Sequence, residues 1–158
     1  MTRARKDVRR RARETALQIL YQWEIGKIDV KDAVRTFFDL QWADPQPPPD
    51  DVRAFASSLA LATVDRLVDI DALIADTSER WRPERMPVVD RLVLRLAICE
   101  LLRDSDTPPP VVINEALELA RTFSTEESVK FVNGMLDGIR KKIEGGLEPD
   151  ARSRKPKA

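Results

Sequence analysis

Seven of the first thirteen residues are Lys or Arg, set against the single acid Asp7, and Tyr21 follows in the same helical pattern. Arg offers phosphate a planar fork of donors, and a phenol ring offers an unpaired base a face to stack on. Together they are the chemistry that single-stranded RNA asks for. The same residues also suit a solvated basic face with Tyr21 packed on a neighbouring helix. A second group lies far along the chain. Phe131 sits about 110° away from the apolar stripe of its own helix, on the side shared with Glu127 and Gly134, and close to Lys130. A ring beside a carboxylate, a glycine and a lysine has the composition of a contact surface, and packing of Phe131 under another helix is the even alternative.

Other chemistries lack their parts. The chain has no histidine, which removes His-dependent triads, His-ligated zinc and the commonest general base. Its one cysteine, Cys99, lies inside LVLRLAICELL, where burial as a small apolar residue is expected and no internal disulfide can form. Asp69 and Asp71 are two apart without further oxygen ligands, and they read as caps and surface charge rather than a metal site. No phosphate-binding loop, dinucleotide fingerprint or nucleophile motif occurs. No cofactor, metal or catalytic residue is expected.

The formal net charge of zero conceals a segregation of sign. Residues 1–13 carry +6, residues 140–158 carry +4, and the intervening body carries −10. Such a chain meets a polyanion at its ends and repels it in the middle. With no apolar run long enough to span a bilayer and no signal-like core at the N-terminus, a cytoplasmic location is expected.

The elements that must position these groups are helices. Charged residues at 34% and only five glycines favour a helix-rich protein, and 158 residues suit one domain or two small bundles. The first helix is expected from about Asp7 to Ile25, with Ala12, Ala16, Ile19, Leu20 and Trp23 inward. Arg10, Arg13, Glu14, Leu17 and Tyr21 then form the opposite stripe. A short helix capped by Asp29 runs to Leu40, with Leu40 inward, and residues 43–50 form a stiff proline-rich connection. Further helices are expected over about 51–68 and 70–81, the latter ending at Trp81. The next segment, VVDRLVLRLAICELLRD, is apolar almost all round and marks a central element. Asp90 lies in its first turn, where the helix dipole favours a carboxylate.

After Pro108–Pro110 a helix starts near Val111, with Phe123 on its buried stripe. A capping box of Ser124 and Glu127 opens the last helix, whose stripe is Val129, Val132, Leu136, Ile139 and Ile143. The expected architecture is therefore all-α, about seven helices in two packed bundles. The basic arm spans residues 1–8, the bundles about 7–68 and 70–143, and residues 144–158 form a disordered basic tail.

Three segments resemble the NusB family of bacterial transcription antitermination factors: RRRARETALQILYQWE (9–24), VVDRLVLRLAICELL (88–102) and VVINEALELARTFSTEESVKFVNGMLDGI (111–139). The resemblance implies seven helices in two bundles and no enzymatic activity. It implies binding of boxA RNA from ribosomal RNA leaders, as a heterodimer with the ribosomal protein NusE, within an RNA polymerase antitermination complex containing other Nus factors. By position it places Arg9, Arg10, Arg11 and Arg13 on boxA phosphates, and Tyr21, Lys130 and Phe131 on the RNA face. Asp90 and Glu127 fall at the RNA or NusE edge, accepting from base donors or pairing with partner cations. Asp90 stands where a longer Glu is frequent and Glu127 where the enterobacterial form has Asp. The proline-rich loop and the tail lie outside the shared core.

Two other readings follow. The same helical module fronts ribosomal RNA cytosine methyltransferases. A chain ending at Ala158 has no cofactor-binding domain behind it, so catalysis in cis is not expected. A homodimer that buries Leu17, Tyr21 and Phe131 would instead hide the RNA face as a storage form.

Overall fold

A computed structural model describes residues 3–78, 83–103 and 106–146, with side chains from Asp7 onward. Among these residues seven α-helices occur and no strand, the all-α architecture expected. They are α1 (Arg3–Gly26), α2 (Val30–Thr36), α3 (Asp50–Asp65), α4 (Leu67–Thr77), α5 (Val88–Leu102), α6 (Pro109–Phe123) and α7 (Glu126–Glu144). The chain divides into two compact units at Asp65/Arg66, a few residues before the expected boundary. Among the described residues no helix is long and apolar enough to cross a membrane. Trp81 and the tail from Leu147 onward fall outside the described residues.

In the first unit α1 packs along α3, with α2 beside both. Ala12, Ala16, Ile19 and Leu20 are completely buried, as their spacing requires, while Trp23 is only half-buried. The helix begins at Arg3 rather than Asp7, since Arg and Lys are good helix formers and nothing in the basic arm breaks the pattern. Leu17 and Arg13 correct the expected outward stripe, being 3% and 5% exposed. A helix gripped over a wide arc has little outward surface left, and Tyr21, 42% exposed, lies where that grip ends.

Asp29 caps α2 by accepting from the Lys31 N–H at 2.8 Å. The helix then widens into a π turn over Phe37–Gln41. The wider turn places Phe37 and Phe38 side by side in the core and sends Leu40 outward, 80% exposed, contrary to its expected inward place.

The C-terminal end of α1 is capped one residue later than its glycine suggests. Lys27, not Gly26, adopts the left-handed conformation, at φ 53°. A side chain there costs about 1 kcal/mol against glycine. Lys27→Gly should therefore raise the unfolding free energy by about 0.5–1 kcal/mol, measured by urea denaturation.

The second unit is organised around α5, from Asp90 to Glu100 buried without interruption, with α4, α6 and α7 packed against it. Its apolar circumference was the signal for this, and Cys99 is buried within it. The Arg95 guanidinium donates to both oxygens of Asp71 on α4, at 2.9 and 2.8 Å, so Asp71 ties α4 to α5. Asp69 pairs with Arg66 in the first turn of α4. The break before α4 falls at Arg66, earlier than expected.

Pro109 and Pro110 lie inside the first turn of α6, where no N–H is needed, so α6 starts two residues before Val111. Leu119 is buried on that helix and Phe123 surfaces, reversing the place expected for the ring. On α7, Val129, Val132, Leu136 and Ile139 are buried as spaced, and Ile143 is half-buried. The virtual Cβ of Gly138 would lie 3.2 Å from Thr77 Cγ2, so this glycine lets α7 approach α4.

Candidate nucleic-acid interface

On α1 Arg9, Arg11 and Arg13 are held by rings and a carboxylate of the first unit rather than projecting as a loose fringe. Arg9 lies over the Phe55 ring at 4.5 Å and Arg13 over the same ring at 5.5 Å, so one aromatic of α3 orients two guanidinium groups. Arg13 and Arg9 are i,i+4 neighbours, which brings both to one ring. Arg11 lies over Trp42 at 4.7 Å and donates from Nη2 to Asp44 Oδ2 at 2.8 Å. Arg10 is half-buried and also engaged. Tyr21 is exposed further along α1, followed by exposed Ile25 one turn on.

The connection between the π turn and α3 is built as a clamp. Trp42 Nε1–H donates to the Gln46 carbonyl at 2.8 Å, and the Gln46 N–H donates to Asp44 Oδ1 at 2.9 Å. The Trp42 ring itself leans on Phe37 and Phe38. That Gln46 N–H, and after it the Arg11 guanidinium, hold the Asp44 carboxyl below the ordinary carboxylate range, so it stays charged at any pH near neutrality. Phe55, Trp42 and Asp44 were absent from the candidate residues. Each meets its arginine across a long stretch of chain, and no local spacing signals that.

On α7 the outward face carries Glu127, Lys130 and Gly134, all exposed, with Phe131 half-buried beside them. A Cβ at Gly134 would meet nothing within 4 Å, so that side of the helix is open. Glu127 stands in the first turn, where the helix dipole favours it, but the cap is not the expected Ser124. Thr125 is the N-cap, its hydroxyl oxygen accepting from the Ser128 N–H at 3.0 Å.

Ser124 does something else. Its hydroxyl donates to Asp90 Oδ1 at 2.8 Å, and the Ser128 hydroxyl donates to Oδ2 at 2.7 Å. Asp90 is 4% exposed, and both of its oxygens are directed into the α6–α7 turn rather than outward to a partner. It thereby fixes where α7, and with it the Lys130–Phe131 face, leaves the turn.

The model of the NusB family matches residues 10–141. The transcription antitermination protein NusB of Solibacter usitatus is 49% identical over 144 residues, covering 91% of this chain and 96% of that one. The chain belongs to the NusB family. A crystal form of T. maritima NusB shares the fold with a TM-score of 0.75 and 37% identity, over 85% of this chain and 91% of that one. A NusB solved with NusE in complex with dsRNA has a TM-score of 0.73 and 26% identity, over 85% of this chain and 97% of its own. Within the NusB match lie Arg10, Arg11, Arg13, Tyr21, Asp90, Glu127, Lys130 and Phe131. Arg9 falls just before it.

Proposed function

We propose that this chain is a NusB-type transcription antitermination factor that binds boxA RNA of ribosomal RNA operon leaders together with NusE, and so promotes complete rRNA transcription. The observation that carries this is family membership over nearly the whole chain, joined to a relative solved with NusE and RNA. The residues support it chemically. Arg9, Arg10 and Arg11 supply guanidinium groups for phosphates, with the buried Arg13 adding positive charge behind them, Tyr21 and Phe131 supply rings for unpaired bases, and Lys130 adds a cation on the α7 face. Glu127 suits hydrogen bonding to base donors or pairing with a NusE cation. Residues 1–143 act as one RNA-binding domain in this reading, in the cytoplasm, with other Nus factors on RNA polymerase. It is an adaptor, with no catalytic step and no cofactor.

The test is a titration of boxA and scrambled RNA, single-stranded and as duplex, each with and without NusE. Binding of boxA with NusE at least tenfold tighter than the scrambled strand is the expected result; equal affinity for all RNAs would overturn the reading. If about four phosphates are neutralised, log K should fall against log salt with a slope of roughly −3. Arg10→Ala should flatten that slope by about 0.7, read from affinities across a salt series.

Exposed Tyr21 and Ile25, one turn apart on α1, favour a second reading in which a homodimer covers this stripe. Leu17, expected in such an interface, is already buried. Light scattering separates the two: RNA that dissolves a dimer indicates an occluded RNA face, while a dimer persisting with RNA bound indicates a separate surface.

A further inference from the structure

We infer that Asp44 is an internal competitor for RNA, a carboxylate that occupies Arg11 in the place of a phosphate and must be displaced before Arg11 can hold RNA. The inference rests on the RNA-binding reading above and adds a regulatory contact made by the loop between the π turn and α3.

The geometry is that of a prepared anion site already filled. Arg11 lies over Trp42 with its Cζ 4.7 Å from the ring centroid, a contact that steadies the guanidinium while its Nη2 meets an anion. Asp44 Oδ2 meets that nitrogen at 2.8 Å. Carboxylate and phosphate are the two anions that the guanidinium fork fits, so one can replace the other on the same donors. The carboxylate is also presented deliberately: Oδ1 is held by the Gln46 N–H, and Gln46 in turn is held through its carbonyl by Trp42. Both partners of the pair remain partly exposed, and an exposed ion pair contributes little, so exchange for a phosphate costs little.

The surroundings favour competition over positioning. Arg11, Glu14, Thr15, Gln18, Trp42 and Asp44 line an open pocket of about 380 Å³, large enough to admit a phosphate next to the pair. A residue meant only to steady Arg11 needs no charge, because the Trp42 ring already packs against the guanidinium.

Asp44→Asn isolates the effect, since an amide oxygen still accepts from the Gln46 N–H while the negative charge is lost. The variant should bind RNA about three- to tenfold tighter than the unmodified chain at about 50 mM salt, and the gain should shrink as salt is raised. In an Arg11→Gln background the same change should give no gain. Weaker binding by Asp44→Asn would make Asp44 a positioning residue and overturn the inference. No change, or an equal gain in the Arg11→Gln background, would overturn it too.

Thermal melts of all four proteins control for the fold. Because competition concerns phosphate rather than sequence, the gain is expected on boxA and scrambled strands alike. Loss of boxA preference with the gain retained would sink the boxA reading and leave this one. BoxA preference without the gain would do the reverse.

Discussion

Replacing Asp90 with alanine is expected to lower the unfolding free energy by about 3 kcal/mol, seen in urea denaturation and as a fall in Tm of about 6–12 °C. The carboxylate is buried at the start of α5 and accepts from half-buried Ser124 and buried Ser128, so its removal takes the charged acceptor from both hydroxyl groups. A hydrogen bond to a charged group contributes about 1.5–3 kcal/mol, and a buried hydroxyl left without a partner costs about as much as the bond itself. Ser128→Ala alone should cost about 1–2 kcal/mol, since Asp90 keeps its other donor. If Asp90→Ala lost less than about 1 kcal/mol, the triad would not be what fixes the turn. Loss of RNA binding in the same variant should follow the loss of fold, because neither oxygen is directed outward.

Phe131→Ala should weaken boxA binding about 10- to 100-fold, the range expected when one stacked base loses its ring. The salt slope should hardly move, because no phosphate contact is removed. Phe131 is half-buried, so the measurement is paired with a thermal melt, and a variant that stays folded while losing affinity is the informative outcome. Discrimination between boxA and scrambled RNA should fall together with affinity. An equal loss on both RNAs would show that the ring is not reading bases.

The burial of α7 is legible because it buries a stripe set by its own spacing, in place from Val129 to Ile139, and that of α5 because it is apolar almost all round and buried throughout from Asp90 to Glu100. The outward position of Lys130 and the partial exposure of Phe131 follow from the same count of residues per turn. Arg13 and Leu17 are buried for the opposite reason: burial set by other elements, as Phe55 of α3 meets Arg13, is something no period within α1 reports. Leu40 turns outward because one widened turn shifts every later side chain around the axis, away from the place a regular helix would give it.

The cap of α7 was off by a single residue. Ser124 and Thr125 are chemically equivalent as caps, and what separates them is Asp90, 34 residues before Ser124, which accepts a hydrogen bond from the Ser124 hydroxyl. The Asp44 clamp was hidden in a stretch readable only as proline-rich. Its partners lie on α1 and inside the loop itself.

The Phe55 ring carries a consequence for how damage to this protein would present itself. By packing against Arg9 and Arg13, a hydrocarbon surface on α3 bears on the aim of cations borne by a different helix. A lesion at Phe55 would thus resemble a loss of charge in a binding screen, although the net charge is untouched and the ring has no need to reach the ligand.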